Sequence, residues 1–188
     1  YSSMTHERSK DAKGDESRRR EPESPATVFV VEGPVAIREL VVGFLQRLDG
    51  FTVAGSSGAR EEAERECARL QPDVALVDWI HLPDTSSDNL AEAIRKRCPA
   101  TRVVVFAASA EAHFVSDAIA AGVSGFAVRN APLESLAVAL RTVMQGRQYF
   151  APETAGVLRD LLRRSTTSAG PAGRLSHREK EVLREIAQ

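Results

Sequence analysis

Only two cysteines occur, Cys67 and Cys98, and they stand far apart in the chain. Neither has the short partner spacing of a zinc knuckle or a dithiol redox motif, which excludes both and points to a reducing, cytoplasmic setting. There is no run of about 18 apolar residues, so no membrane-spanning helix is predicted. The opening residues also lack the charged head and apolar core of a secretion signal. Charge of one sign is equally scarce: 25 basic residues against 26 acidic ones leave a net −1. Overall electrostatics therefore selects no class of partner, and the local excess of base over residues 157–188 is mild.

What is present suffices for one ordinary domain. In 188 residues, 43% are hydrophobic and 27% charged, enough to bury one core with extensions on either side. The start at Tyr1 suggests a fragment of a longer protein. Residues 1–25 are rich in Ser, Glu, Arg and Lys and nearly empty of large apolar side chains, so they cannot offset the entropy of ordering and read as a disordered tail. The run Arg18, Arg19, Arg20 is either solvated charge or a contact for an acidic surface.

From Ala26 to about Phe150 a rhythm holds. ATVFVVE, FTVAG, DVALVDW, RVVVFAA and GFAVR are short apolar runs, and between them lie segments with a period near 3.6, such as Ala59, Ala63, Cys67 and Leu70, or Leu133, Leu136, Leu140 and Val143. Near-continuous apolar strands imply burial on both faces. The fold class is thus α/β, a doubly wound five-stranded parallel sheet of (βα)5 form spanning 26–150. Pro132 marks a helix start, while Gly122 and Gly146 mark helix ends.

This architecture explains a stretch that would otherwise be odd, DVALVDWIHLP at 73–83, where a buried strand delivers a carboxylate to its own end. Right-handed crossovers place all carboxyl ends of the strands on one edge, where ligands and chemistry collect. Asp78 ends the third strand there, with Glu32 after the first, Ala107 and Ala108 after the fourth, and Arg129 after the fifth. Two carboxylates and a guanidinium are expected to meet in one pocket.

Beyond Phe150, APETAGVLRDLLRR reads as an amphipathic helix and residues 165–174 as a flexible linker, together a linking segment over 151–174. At 175–188, LSHREKEVLREIAQ opens with a capping box formed by Ser176 and Glu179, followed by the apolar face Val182, Leu183, Ile186 and Ala187. One such helix cannot bury its own stripe, so it reads as the start of a second, truncated domain.

QPDVALVD, HFVSDAIAAGVSGFAVRN, APLESLAVALRTVMQG and LSHREKEVLREIAQ, in that order and spacing, resemble a response regulator of the NarL/LuxR (FixJ-like) family: a CheY-like receiver followed by the first helix of a helix-turn-helix domain. The resemblance covers roughly 26–188. It implies a transcriptional regulator that is not an enzyme, with Asp78 as phosphoacceptor for a histidine kinase. Mg²⁺ would be held by Glu32 and Asp78, and Ala107, Phe126 and Arg129 would stand at the signalling positions. It further implies a homodimer that binds DNA through the full C-terminal domain.

The pattern is incomplete. The first-strand acidic pair reads Glu32-Gly33, one carboxylate short. The hydroxyl position reads Ala107, with Ser109 two residues later, and the lysine reads Arg129. The switch tyrosine reads Phe126, and one extra residue separates Asp78 from Pro83. A hydrogen bond to a charged group is worth roughly 1.5–3 kcal/mol, so the missing hydroxyl alone would cost phosphorylation about one to two decades. Arginine keeps the charge of lysine but presents a planar fork. An atypical receiver with impaired or absent phosphorylation, its Mg²⁺ site weak or lost, is expected. A phosphorylation-competent receiver using Asp78 and Mg²⁺ is the alternative, and in a third reading Asp78 is a polar strand end paired with Arg129.

Weaker signals remain. GSSGAR at 55–60 follows a strand and opens a helix, as phosphate cradles of flavodoxin-like cofactor proteins do, but it matches neither GxGxxG nor the P-loop. Ser56 and Ser57 fit no GxSxG elbow. His81 is a lone loop histidine, a solvated residue or a metal ligand, and Trp79 and Phe126 read as packing residues. The faces of helices four and five are apolar enough for a dimer contact or for the core alone.

Overall fold

The computed structural model describes residues 24–79 and 90–167, with the side chains of 165–167 left aside. The tail before residue 24, His81, Pro83 and the segment beyond Thr167, with Ser176 and Glu179, lie outside the described residues. The elements run β1 (Ala26–Val31), α1 (Val35–Leu45), β2 (Phe51–Ser57), α2 (Arg60–Leu70), β3 (Val74–Val77), α3 (Leu90–Arg97), β4 (Arg102–Ala107), α4 (Ala112–Ala120), β5 (Gly125–Val128), α5 (Leu133–Met144), β6 (Tyr149–Phe150), a 3₁₀ turn (Pro152–Thr154) and α6 (Ala155–Thr167).

All strand pairs are parallel, in the order β2-β1-β3-β4-β5-β6. The expected five strands are thus joined by a sixth. Tyr149 and Phe150 pair with Gly125 and Phe126, a strand too short for its periodicity to register. The α5 boundary also shifts by one residue, since Pro132 is the N-cap and Leu133 the first helical position. Gly122 and Gly146 do adopt positive φ, 68° and 78°, as helix stops require.

Alternation along the strands divides the interior into two layers. Val28, Val30, Val74, Leu76, Val104 and Phe106 face α1 and α5. Phe29, Val31, Ala75, Val77, Val105 and Phe126 face the other side, against α2, α3 and α4. Burying both faces removes all side chains of β3 and β5 and most of those of β1 and β4 from water, at about 25 cal/mol per Å² of apolar surface.

The amphipathic helix after Phe150 is part of this second layer. Leu158 is buried, and Val157, Leu161 and Leu162 pack against the same cluster as Val115 and Ala118 of α4. Its helical backbone runs on to Thr167, into the first three residues of the stretch that composition marks as a linker. The apolar faces of α4 and α5 are likewise occupied: Val115, Ala118 and Ile119, and Leu136, Leu140 and Val143, are all buried.

Candidate functional site

The strand order reverses between β1 and β3, because the chain leaves β1 for β2 on one side and then crosses to β3 on the other. Glu32 follows β1 and Asp78 follows β3, so the two carboxylates stand side by side at this switch point. Backbone bonds fix both: Asp78 N–H donates to Val31 O at 2.7 Å and Glu32 N–H to Ser57 O at 3.0 Å. Arg129 follows β5, two strands away from Asp78, and its N–H donates to Ala107 O at 2.8 Å.

From there the guanidinium crosses the end of β4, passing 5.5 Å from the centre of the Phe106 ring, within cation–π range. Its Nη2 ends 2.8 Å from Glu32 Oε2 and 2.7 Å from Asp78 Oδ1. The Asp78 side chain is 0% exposed and that of Arg129 15% exposed, so water reaches the cation's edge but not the Asp78 carboxylate. The three charged groups expected to converge do meet. Ala107 and Phe126 are also buried close by, Ala107 as the last residue of β4 and Phe126 inside β5, where it pairs with Val105. Ser109 lies beyond β4.

Two carboxyl groups this close and this dry cannot both ionise at low cost. Burial first, and then the neighbouring Asp78 charge, push the Glu32 carboxyl up to about 8, although Arg129 pulls it the other way. Near neutral pH Glu32 therefore holds a proton, and it also hydrogen-bonds Asp78. Its second oxygen, Oε1, is buried without a hydrogen-bond partner.

A divalent cation in such a pocket needs several anionic oxygens free to coordinate it. Here Glu32 Oε2 and Asp78 Oδ1 both accept from a guanidinium, and the residue after Glu32 is a glycine. The set does not fit Mg²⁺. Among the described residues there is also no group of three His, Cys, Asp or Glu side chains able to hold a metal.

Two residues at this edge escape sequence reasoning. Arg38, on the first turn of α1, donates from Nη1 to Glu32 O at 2.7 Å and Gly33 O at 3.2 Å, pinning the loop that carries Glu32. Gly58 makes room for it, since a Cβ there would collide with the Arg38 guanidinium. Phe106 is the second. Neither belongs to a motif, and only the spatial proximity of three loops makes them part of the site.

The GSSGAR stretch is occupied by its own side chains. Ser57 Oγ donates to Glu62 Oε2 at 2.6 Å and accepts from Ala59 N–H at 3.1 Å. An acidic side chain thus sits where a phosphate would have to approach the start of α2, which removes the nucleotide reading.

Over residues 28–141 the chain matches the sequence family described as the response regulator receiver domain. The chain belongs to that family. This receiver is 29% identical over 161 residues to the transcriptional regulatory protein DesR of Bacillus subtilis, covering 86% of this chain and 74% of DesR. It is 29% identical over 156 residues to the DNA-binding transcriptional activator DevR/DosR of Mycobacterium tuberculosis, covering 83% and 71%. Among solved structures, a LuxR-family two-component response regulator from Aurantimonas sp. SI85-9A1 superposes with a TM-score of 0.67 at 24% identity, over 73% of this chain and 97% of that one. That likeness confirms the CheY-like parallel α/β fold.

Proposed function

We propose that this receiver belongs to a cytoplasmic, DNA-binding transcriptional regulator of the two-component class, and that ordinary phosphorylation of Asp78 is impaired or absent in it. The observation that carries this reading is the ion pair between Arg129 Nη2 and Asp78 Oδ1 at 2.7 Å, with the Asp78 side chain fully buried. In-line attack on a phosphoryl donor requires a carboxylate oxygen that is exposed and unshielded. Here Oδ1 is already bonded to a guanidinium and the whole side chain is buried. The hydroxyl that would bind a phosphoryl oxygen is replaced by the Ala107 methyl. The chain acts by binding, and the signalling role of Ala107, Phe126 and Arg129 is to hold one arrangement of β4 and β5.

Incubation with acetyl phosphate and Mg²⁺, read by intact-mass spectrometry, tests this. No phosphoryl adduct is expected, and none with a histidine kinase as donor. A stoichiometric adduct that Asp78→Asn removes would establish the competent alternative instead.

A homodimer is part of the proposal. Two of its features favour contact through α1 and α5, which share one face of the sheet: the apolar stripes of α4 and the inner side of α5 are already buried, and Val35, Leu40 and Val138 are the large apolar side chains left exposed among the described residues. Sedimentation equilibrium of Leu40→Glu with Val138→Glu should show a monomer where the parent chain shows a dimer. An unchanged dimer would place the interface elsewhere.

A further inference from the structure

We infer that Arg129 is a built-in cation that takes over the place and the charge of the divalent metal, so that the pocket between Glu32 and Asp78 is latent as a metal site and opens to one when the guanidinium is removed. This deepens the proposed function and rests on it only in treating the pocket as that of a receiver. It concerns cation binding and not phosphoryl transfer, and the two can fail separately.

Three observations carry it. One nitrogen, Arg129 Nη2, lies within 2.8 Å of an oxygen from each carboxyl group, so a single positive centre bridges both. Next, Glu32 Oε1 is buried at the same place with no hydrogen-bond partner, a ligand oxygen left over after the guanidinium has taken its share. The guanidinium is also held from behind, by Phe106 under its face and by the Arg129 N–H bond to Ala107 O, so the cation is preplaced by β4 and β5 and does not have to be recruited from solution. A tethered cation costs no association entropy and cannot be chelated. A hydrated Mg²⁺, by contrast, needs room for several waters as well as anionic oxygens.

The chemistry exposed by removing the guanidinium is that of a hard-cation site. Glu32 Oε1 and Oε2 and Asp78 Oδ1 are oxygen donors on two adjacent strand ends. Loss of the guanidinium frees these oxygens from their present partner, and an entering cation supplies the positive charge that the two adjacent carboxyl groups otherwise lack.

The test uses Mn²⁺ as a probe, counted by electron paramagnetic resonance, on the full chain and on Arg129→Gln. The parent chain should show no saturable Mn²⁺ binding in the millimolar range and no change of Trp79 fluorescence with Mg²⁺. Arg129→Gln should bind one Mn²⁺ at least about tenfold more tightly than the parent chain, and Glu32→Gln in the same background should lose it. Should Arg129→Gln fold only when millimolar Mg²⁺ is supplied, the inference also stands, since the metal then replaces the guanidinium. Three results would overturn it: a saturable Mn²⁺ site in the parent chain that Asp78→Asn abolishes, a folded Arg129→Gln that binds none, or an Arg129→Gln that stays unfolded with Mg²⁺. None of these bears on whether Asp78 accepts a phosphoryl group, which the acetyl phosphate experiment decides.

Discussion

Arg129 Nη2 stands 2.7 Å from Asp78 Oδ1 across the end of an intervening strand. Such a pair ties β5 to β3 at the edge where no backbone ladder links them, because β4 lies between. Forming a buried ion pair contributes little net stability, since both ions must lose their water, but breaking one leaves an uncompensated charge. Arg129→Met should therefore lower unfolding stability by about 3–5 kcal/mol, and Asp78→Asn combined with it by clearly less than the sum of the two single changes. Urea denaturation of the four proteins gives the coupling energy, and additive effects would show that the contact does not persist in solution.

The Glu32 proton makes stability depend on pH in a direction opposite to that of most carboxylates. Its folded value, raised to about 8 chiefly by burial and then by Asp78, lies above the ordinary value of 4.5. Between those two pH values the folded state binds a proton that the unfolded state has released, so stability falls as pH rises through the window. The slope at its steepest is about 1.4 kcal/mol per pH unit for one group. Glu32→Gln cannot ionise and should flatten the profile between roughly pH 5 and 8. Melting temperatures of the two proteins across that range decide the matter, and parallel profiles would mean that Glu32 titrates normally.

The docking of α6 rests on a contact with the α4 side of the core. Leu158 is its buried anchor, while Arg159, Asp160, Arg163 and Arg164 lie on its outer side. Leu158→Ala removes most of that contact and should cost about 2–3 kcal/mol. Hydrogen exchange should locate the effect: amides of 155–164 lose protection while those of β1, β3 and β4 keep theirs. Uniform loss through the sheet would show instead that α6 and the sheet unfold as one.

How much of this could be seen in the sequence follows from which signals are local. Asp78, Glu32 and Arg129 were placed together because strand polarity is set by the βα rhythm, and a carboxyl end has only one edge to occupy. The distance between them was not available, since the reach of a guanidinium over β4 depends on how far the strands stagger. Arg38 and Phe106 were invisible for a related reason: an arginine on an amphipathic helix and a phenylalanine in an apolar strand are each explained by their own element. Tyr149 and Phe150 form a strand only because β5 offers an open edge, so tertiary context alone creates it. The stripe of α6 announced a helix, but a stripe does not name the surface that covers it.

The two thiols supply the last prediction. Cys67 on α2 and Cys98 after α3 are both fully buried in one apolar cluster. Burial pushes the Cys67 thiol up to about 12, with a smaller contribution from Cys98, and it raises Cys98 as well against the opposing bonds from Gln71 and Thr101. The reactive species is the thiolate, so near neutral pH a thiol with a value of about 12 presents only a minute reactive fraction, and the reagent must also wait for α2 and α3 to part. An aromatic disulfide reagent should leave both cysteines of the native chain unmodified over hours and titrate both within minutes in denaturant. Because Gln71 lies over Cys98, with its Nε2 3.6 Å from the sulfur and 2.9 Å from Ala68 O, Gln71→Ala should speed labelling of Cys98 before that of Cys67. Rapid labelling of the unaltered native chain would mean that the α2–α3 layer opens far more readily than its burial implies.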